Sequence, residues 1–539
     1  MSPPWDTIVI GAGVGGLTAA AKLIRAGLRV LVLEKNSHPG GTAYVYQRKG
    51  FTFPMGPLGF SNPLVCREIL NTIGQGEDFE LHRINYRIRA FGLEFPLSLP
   101  FSEMTTQLGN HFPADIQGVK QFFEDLERGI LFRAGGKTSA QRLAGLQLPQ
   151  ISAEAYLSGL VSDWRLRRIL GSQGTREPYS GLPLLAAMWN LMGREGIWYP
   201  AGGMKSFCER LTLAVTAPDG SRQRNRSLGK KGGIGEIRLG TEVARIRVEK
   251  GKARGVTLEE GTKIDSASVI SNADFKTTFL KLMDLEEVPP VWYRAVSNAR
   301  QTGSVLQVCL GVDSRRVDLS AFREATRLIY RPHQKDPGQQ EEVNWDAPEV
   351  DLDALASQEL EVSLWSGEDE MLSPEGGAVV VVRTEADYSH FAKYRSGMER
   401  RTPAYRVYKE RLGHRLIREI AHLIPGVEDS IVVMDVATPL TFEDQGGRSG
   451  GAVAGWSWDY EDFHDDRPRE LILSPIENLY LAGYQAFSAL FLGGVPTAML
   501  SGSRAAEAVL QGAGPAKEIL IPISSSKQAS GRAERSRPS

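Results

Sequence analysis

Residues 5–16 read WDTIVIGAGVGG, a short apolar run that passes directly into a glycine-rich turn. A second apolar run covers residues 28–33, and the alanine- and leucine-rich stretch between the two, residues 14–26, is typical of a helix. A strand, a helix and a second strand this close together form a βαβ unit, which builds a parallel sheet. The sequence therefore predicts an α/β protein that begins with a parallel sheet.

The turn matches the pattern GxGxxG through its first, third and sixth positions. The first glycine of this pattern permits a tight turn, the second lets a pyrophosphate approach the backbone, and the third lets helix and strand pack closely. The helix that follows offers N–H donors and the positive end of its dipole to the phosphates. We therefore predict a Rossmann-type dinucleotide site that includes Gly11, Gly13, Val14, Gly15 and Gly16.

An acidic residue, Glu34, ends the second strand, where an acid accepts both hydroxyls of an adenosine ribose. A carboxylate there disfavours a 2′-phosphate, so FAD or NAD fits better than NADP. Lys35 then leads into a second glycine-rich turn containing Gly40, Gly41 and Thr42. Two such turns in succession let the backbone cross the isoalloxazine side of a flavin.

The C-terminal part contains two further glycine turns. One follows the apolar run 478–482 at Gly483, and the other, at Gly494 and Val495, opens an alanine-rich helix whose first amides can point at a flavin or its ribityl chain. A second strand–GxGxxG–helix unit, as a nicotinamide domain needs, is missing from the sequence. We therefore predict FAD as the cofactor, without NADPH.

Composition and charge exclude several other classes. The 539 residues carry 63 Lys and Arg against 64 Asp and Glu, so no basic field attracts nucleic acid. The three cysteines lie far apart and suit a reducing, cytoplasmic compartment, and the histidines show no metal-ligand spacing. No apolar stretch reaches the ~18 residues that a membrane-spanning helix needs. We expect a cytoplasmic enzyme without a metal site.

Further motifs follow one another along almost the whole chain: PGGTAYVY at 39–46, GFTFPMGP at 50–57, GIWYPAGGM at 196–204, the stretch 235–274, TPLTFE at 438–443 and the stretch 493–502. In these motifs the chain resembles the phytoene desaturase family of FAD-dependent oxidoreductases, which is related to carotenoid isomerases and retinol saturases. Three places depart from the family pattern, and at one of them, residues 171–174, the family leads one to expect a bulkier segment with aromatic residues and histidine. Thr42 stands where arginine is usual, and Pro54 stands where aspartate is usual.

The resemblance implies a flavin domain assembled from discontinuous segments, with an α+β substrate domain inserted between them. It places FAD-binding segments at 1–80, 201–290 and 435–513, and substrate-domain segments at 81–200 and 291–434. The remaining stretch, 514–539, is expected to be a disordered tail. Within the second flavin segment, Val243 is a cofactor-binding candidate.

The resemblance also implies an activity. In such enzymes FAD accepts a hydride from an allylic carbon of a long apolar polyene or isoprenoid, and a quinone or O₂ reoxidises the flavin. The substrate enters from a membrane surface, so peripheral membrane contact is expected. A carotenoid isomerase or a saturase of the retinol saturase type stays open as an alternative, as do flavin-dependent amine oxidation and a flavin-binding protein without catalysis.

Hydride transfer from a hydrocarbon needs few titratable groups. Candidates for an accompanying proton transfer are Arg176 and Glu177, in a loop with Tyr179, and Tyr484, which follows the glycine turn at 483 together with Gln485. A salt-linked surface loop and ordinary packing are the respective alternatives.

Two amphipathic helices are predicted at residues 115–131 and 153–170. We expect the apolar face of the first to be core. The alternative is that this face and the segment 95–101 dock on a membrane.

Overall fold

The computed structural model describes residues 5–129, 152–217, 233–331, 343–397, 400–457, 470–487 and 493–517. Its strands, in chain order, are β1 (Trp5–Ile10), β2 (Arg29–Leu33), β3 (Val45–Arg48), β4 (Phe51–Pro54), β5 (Leu81–Ile84), β6 (Tyr86–Ala90), β7 (Leu93–Pro96), β8 (Ile197–Pro200), β9 (Ile234–Arg238), β10 (Val243–Glu249), β11 (Lys252–Leu258), β12 (Lys263–Ser271), β13 (Ser304–Asp313), β14 (Arg327–Tyr330), β15 (Leu360–Leu364), β16 (Gly377–Ala386), β17 (Ile431–Ala437) and β18 (Leu479–Leu481).

Its helices, in chain order, are α1 (Val14–Arg25), α2 (Pro63–Thr72), α3 (Phe101–His111), α4 (Ile116–Glu127), α5 (Ala153–Ser158), α6 (Trp164–Ser172), α7 (Leu182–Asn190), α8 (Gly203–Thr216), α9 (Phe275–Leu280), α10 (Pro290–Asn298), α11 (Leu352–Ala356), α12 (Tyr388–Ala392), α13 (Pro403–Ile420), α14 (Val427–Ser430), α15 (Pro439–Gly446) and α16 (Gly494–Gln511).

The first sheet has the order β10-β11-β12-β1-β2-β9, and β18 pairs with β12. Its centre is parallel, because β1 pairs in parallel with both β2 and β12. The strands come from residues 5–33, 234–271 and 479–481, so segments far apart in the chain build one domain. This is the predicted Rossmann-type α/β domain of discontinuous segments. The segment boundaries given above stay predictions, and residues 518–539 of the predicted tail lie outside the described part of the chain.

Small residues let two helices cross on this sheet. α1 is buried along Ala19, Ala20 and Ala21, and α16 packs across it. A Cβ added to Gly502 of α16 would lie 2.1 Å from the carbonyl oxygen of Gly15 in α1. The crossing therefore requires glycine, and it joins the last described helix to the first.

The second sheet has the order β17-β13-β16-β15-β14-β6-β7 and is antiparallel except between β14 and β6. One of its faces packs against α13 through side chains such as Leu306, Val308 and Leu412. The opposite face meets the flavin domain through Cys309 and Val381, and it meets the helical core of α3, α4, α6 and α7 through Ile88. This opposite face is called the inner face below.

The predicted helix at 115–131 forms as α4, and its apolar face is core, as expected. The prediction of one helix over 153–170 is wrong, since the chain turns at Gly159 and a new helix, α6, begins. Asp163 caps α6, because its carboxylate accepts hydrogen bonds from the backbone N–H groups of Arg165 (2.8 Å) and Leu166 (3.4 Å). Ser, Asp and Asn before an apolar run mark the N-terminus of a helix, and the spacing of apolar residues alone does not show this boundary.

Both stretches considered for membrane docking are buried. Phe95 and Phe122 have no exposed surface, and Phe101, Phe123 and Leu126 are at most 4% exposed. The interpretation of these stretches as docking surfaces is therefore wrong. Among the described helices, none combines the length and the apolar character that crossing a membrane requires.

Candidate functional site

The first glycine turn joins β1 to α1 with little room for side chains. Gly11 adopts a φ of +91°, and its N–H donates to the carbonyl of Leu33 at 2.7 Å. A Cβ on Gly16 would lie 2.1 Å from the Gly11 carbonyl oxygen. A Cβ on Gly13 would meet Asn272 Nδ2 at 2.9 Å and no other described atom within 4 Å, so the backbone at Gly13 borders open space.

The second glycine turn packs directly on the first. The N–H of Gly40 donates to the Ala12 carbonyl at 2.7 Å, and a Cβ on Gly41 would lie 3.1 Å from Gly13 Cα. Gly40 and Gly41 both adopt positive φ, +102° and +56°. Two stretches of bare backbone therefore lie side by side, which suits close approach of a pyrophosphate.

Glu34 is held at the edge of this double turn. Its side chain is 5% exposed, and its two oxygens accept hydrogen bonds from the N–H of Ala12 (2.8 Å) and the N–H of Asn36 (2.9 Å). A carboxylate offers about four lone-pair sites, so each oxygen retains capacity for a ribose hydroxyl.

Two other predicted cofactor-binding residues, Val243 and Lys35, follow different courses near Glu34. Thr241 donates its N–H to the Glu34 carbonyl at 2.8 Å, and Val243, buried at the start of β10, lies two residues further on. Lys35 points elsewhere, since its ammonium donates to the Asp444 carbonyl at 3.4 Å, at α15.

The C-terminal glycine turn closes the site from the third side. Gly483 has a φ of +101°, and its N–H donates to Ser501 Oγ at 2.9 Å. A Cβ on Gly15 would lie 3.0 Å from Gly483 N and 2.9 Å from the Ala498 carbonyl oxygen. Gly494 opens α16 and has no described atom within 4 Å of a Cβ position, whereas the neighbouring Val495 is buried.

Asn272, which directly follows β12, is a member of the site that the motif pattern did not reveal. Its Nδ2 donates to the Gly11 carbonyl at 3.4 Å, and its Oδ1 is buried without a hydrogen-bond partner among the described residues. That oxygen lies 2.6 Å from a Cβ position on Gly15. The available signal is its position, since side chains at the carboxyl ends of parallel strands collect at the ligand edge of such a sheet.

These residues fit a bound FAD. The paired glycine turns and the N-terminus of α1 offer N–H groups to a pyrophosphate, Glu34 offers acceptors to a ribose, and the orphaned Asn272 oxygen offers one more acceptor between the turns. The C-terminal turn at Gly483 adds backbone beyond these two turns, so the site is larger than a mononucleotide requires.

A cationic and aromatic cluster borders the turns. Arg448 donates from Nη2 to Thr42 Oγ1 at 2.6 Å, and its guanidinium lies 4.5 Å from the centre of the Tyr484 ring. Burial, together with the negative charge of Asp274, raises the pKa of Tyr484, so this phenol stays protonated at neutral pH. Arg448 thus brings to Thr42 the positive charge that the resemblance leads one to expect at position 42.

The other two proton-transfer candidates lie at the second sheet. Arg176 forms ion pairs with Glu359 (2.8 Å) and Glu385, and Glu177 forms one with Arg168. The charge of Glu359 is the main reason that the pKa of Arg176 is raised, and this keeps the guanidinium cationic. Their participation in proton transfer stays a prediction. In the described part of the chain, no cluster of His, Cys, Asp and Glu could hold a metal ion.

Comparison with known proteins gives a family. The model of the family described as flavin containing amine oxidoreductase matches residues 14–376, more than half of the chain. Prolycopene isomerase of Daucus carota is 26% identical over 90% of this chain and 77% of its own. Phytoene desaturase (neurosporene-forming) of Cereibacter sphaeroides is 28% identical over 52% of this chain and 56% of its own.

Among solved structures, an oxidoreductase from Methanosarcina mazei superposes with a TM-score of 0.60 at 18% identity, covering 92% of this chain and 99% of its own. At that identity the likeness concerns the fold alone. It agrees with the family match and with glycine turns that suit a dinucleotide. The chain belongs to the flavin containing amine oxidoreductase family and is an FAD-dependent oxidoreductase.

Proposed function

We propose that the protein transfers a hydride between FAD and a long isoprenoid polyene of the carotenoid type. The observation that carries this proposal is the likeness over much of the chain to prolycopene isomerase and phytoene desaturase, in a protein whose glycine turns fit FAD. Bound FAD supplies a two-electron acceptor that takes a hydride from a carbon atom. The chain has to hold the polyene beside it, exclude water and keep its own polar groups neutralised.

The polar groups beside the turns suit this restricted task. Glu34 and Asp274 are engaged by backbone N–H groups, and burial keeps Tyr484 protonated. In desaturation, the substrate loses one hydride and one proton. The deeply placed phenol of Tyr484 carries its proton through the reaction, so the departing proton must reach water or another base.

The test is direct. Purified holoprotein is mixed anaerobically with phytoene, poly-cis-lycopene or retinol, the flavin absorbance at about 450 nm is followed, and the products are separated by chromatography. Bleaching with formation of a more unsaturated polyene supports desaturation. Absence of bleaching and of product with every polyene contradicts the proposal, and a parallel screen of amines for peroxide release tests the reaction that the family is named after.

Isomerisation is the second candidate, because the prolycopene isomerase of Daucus carota aligns with 90% of this chain whereas the desaturase of Cereibacter sphaeroides aligns with 52%. An isomerase converts poly-cis-lycopene without net oxidation. The same products, analysed with the flavin pre-reduced and without an electron acceptor, distinguish the two reactions.

Peripheral membrane contact and reoxidation by a quinone or O₂ belong to the same proposal. A long polyene dissolves in a bilayer and not in water, so uptake requires contact with the lipid surface. Sedimentation with liposomes tests the contact, and the rate of flavin reoxidation with a soluble quinone, compared with air, tests the acceptor.

A further inference from the structure

The inner face of the second sheet is polar where it comes nearest to the glycine turns. Gln307, Arg383 and Glu361 lie directly opposite one another in register on β13, β16 and β15. We call these three residues the polar row. Further along the same strands, Cys309 and Val381 make the inner face apolar. A guanidinium and a carboxylate are costly to bury unless they are paired or hydrogen-bonded.

The polar row lies one layer from the flavin site. Gln307 donates from Nε2 to the Pro54 carbonyl at 3.2 Å, and Arg383 donates from Nη2 to the Gly56 carbonyl. A Cβ on Gly56 would lie 2.6 Å from the carbonyl oxygen of Thr42, in the second glycine turn. The residues 54–56 therefore separate Arg383 from the turn by a single thickness of backbone.

Arg383 is anchored with donors to spare. Its Nε donates to Gln307 Oε1 at 2.6 Å, and one N–H of Nη2 is used at Gly56. A guanidinium carries five N–H donors, so three have no partner among the described residues. The fork is thus held in one orientation, with Nη1 available.

Arg383 combines a partly accessible side chain with a strongly desolvated charge. It retains accessible surface, yet burial is the main cause that lowers its pKa. No carboxylate of the described residues lies within 4 Å of it, although Glu361 is its neighbour in register. The phenol of Tyr86, within electrostatic reach of Arg383, likewise retains accessible surface although burial raises its pKa.

A second arginine on the same face, Arg327, has the environment of a purely structural residue and serves as a comparison for Arg383. Arg327 is fully buried, lies 3.6 Å from Glu368 and donates to the Leu58 carbonyl at 3.1 Å. Its charge is balanced within the protein. Arg383 differs in retaining accessible surface, so its unused donors can reach a ligand, whereas the unpaired Nε of Arg327 is buried.

We propose that Arg383 binds an acceptor oxygen of the substrate, so that the preferred substrate is an isoprenoid carrying a hydroxyl, carbonyl or carboxylate group and not a hydrocarbon. This inference rests on the proposed function, since it assigns the substrate class of the same site. Gln307 acts as a positioning residue that fixes the guanidinium fork, and the oxygen-bearing end of the substrate lies against the polar row.

The experiment measures binding to the FAD-loaded protein, by the perturbation of the flavin spectrum. The probes are polyenes of equal length that end in methyl, hydroxymethyl, aldehyde or carboxylate. We expect the best oxygen-bearing probe to bind at least about tenfold more tightly than the methyl-ended one, the effect of one hydrogen bond to a charged group. In Arg383→Met the preference falls to about twofold or less.

Two further variants keep the test sharp. Arg383→Lys retains the charge but not the fork, and it should retain only part of the preference even if Arg383→Met folds poorly. Arg406→Met removes an arginine that is 82% exposed and should leave the preference as in the wild type. Equal affinity for methyl-ended and oxygen-bearing probes, or a preference that persists in both Arg383 variants, overturns the inference. Failure of every polyene to bind the FAD-loaded protein overturns the proposed function and this inference with it.

Discussion

The two sheets of the molecule contribute to the site in different ways, the first through its backbone and the second through its side chains. At the first sheet, the two glycine turns meet backbone against backbone, since Gly40 donates to the Ala12 carbonyl and Gly41 lies against Gly13. At the inner face of the second sheet, Gln307 and Arg383 reach across by their side chains. A wall of backbone presents the same N–H groups whatever the substrate, whereas a wall of side chains can change its preference by single substitutions. The four predictions below test this division of labour.

The largest effect should follow Gly16→Ala. Its Cβ would lie 2.1 Å from the Gly11 carbonyl oxygen, a backbone atom that can move only if the turn moves. We expect a loss of at least about 3 kcal/mol in the free energy of unfolding, with loss of bound FAD. Denaturant unfolding and the flavin-to-protein absorbance ratio measure the two effects.

Its control is Gly303→Ala, at an exposed glycine whose Cβ position has no described atom within 4 Å. That variant should stay within about 0.5 kcal/mol of the wild type. A fully flavin-loaded, equally stable Gly16→Ala protein would show that the turn is not built as described.

Arg327→Met should lower stability by about 3 kcal/mol without changing substrate preference. The substitution leaves Glu368 buried, with its 4%-exposed side chain deprived of the charge 3.6 Å away. Paired with Arg383→Met, it separates a structural arginine from a binding one on the same face. Denaturant unfolding and the polyene-binding series are run on both variants, and a change of preference in Arg327→Met would erase the distinction.

Glu34→Gln should weaken FAD binding about 10- to 100-fold. The amide can accept a hydrogen bond from only one of the two N–H groups of Ala12 and Asn36, and its NH₂ group faces the other. The dissociation constant is measured by titrating apoprotein with FAD and following flavin fluorescence. An unchanged constant would mean that the backbone turns alone hold the cofactor.

The smallest effect concerns acid. Burial by itself would raise the pKa of Asp115, but hydrogen bonds from Ser162 and from the N–H of Asp163 outweigh it and lower the pKa. A lowered pKa stabilises the fold above the unfolded value of about 4, and this contribution disappears as the pH falls through the folded value. The advantage of wild type over Asp115→Asn should therefore be about 1 kcal/mol at pH 6 and vanish at lower pH.

Unfolding of both proteins between pH 3 and 7 checks this, with Glu260→Gln, at an exposed turn, as the control. A constant difference across that range would contradict the assignment. The glycine turns at the first sheet differ in this respect. Their backbone contacts contain no group that titrates in this range, so their contribution to stability should not depend on pH.

The same contrast explains how far sequence reasoning reached. Gly11, Gly40 and Gly483 could be predicted because each glycine turn is local and its residue type follows from its own backbone. The Rossmann-type domain followed from the apolar runs beside the first turn. The break at Gly159 was missed because helical periodicity continued across it.

Arg383 and Asn272 could not be found in this way. Arg383 bonds to Gln307, 76 residues away, and to Gly56, 327 residues away, while Asn272 bonds to Gly11 across 261 residues. Side chains become a site only through the register of the strands that carry them, and a one-residue shift in β16 would turn Arg383 to the opposite face.

The contact between Gly15 and Gly502 has a consequence for synthesis. The strand β18, which pairs with β12, and the helix α16, which packs on α1, both come from the last described quarter of the chain. At about 5–20 residues per second, the ribosome needs roughly half a minute or longer to pass from β1 to these elements. During that interval the nascent chain carries an unfinished sheet edge and an uncovered helix.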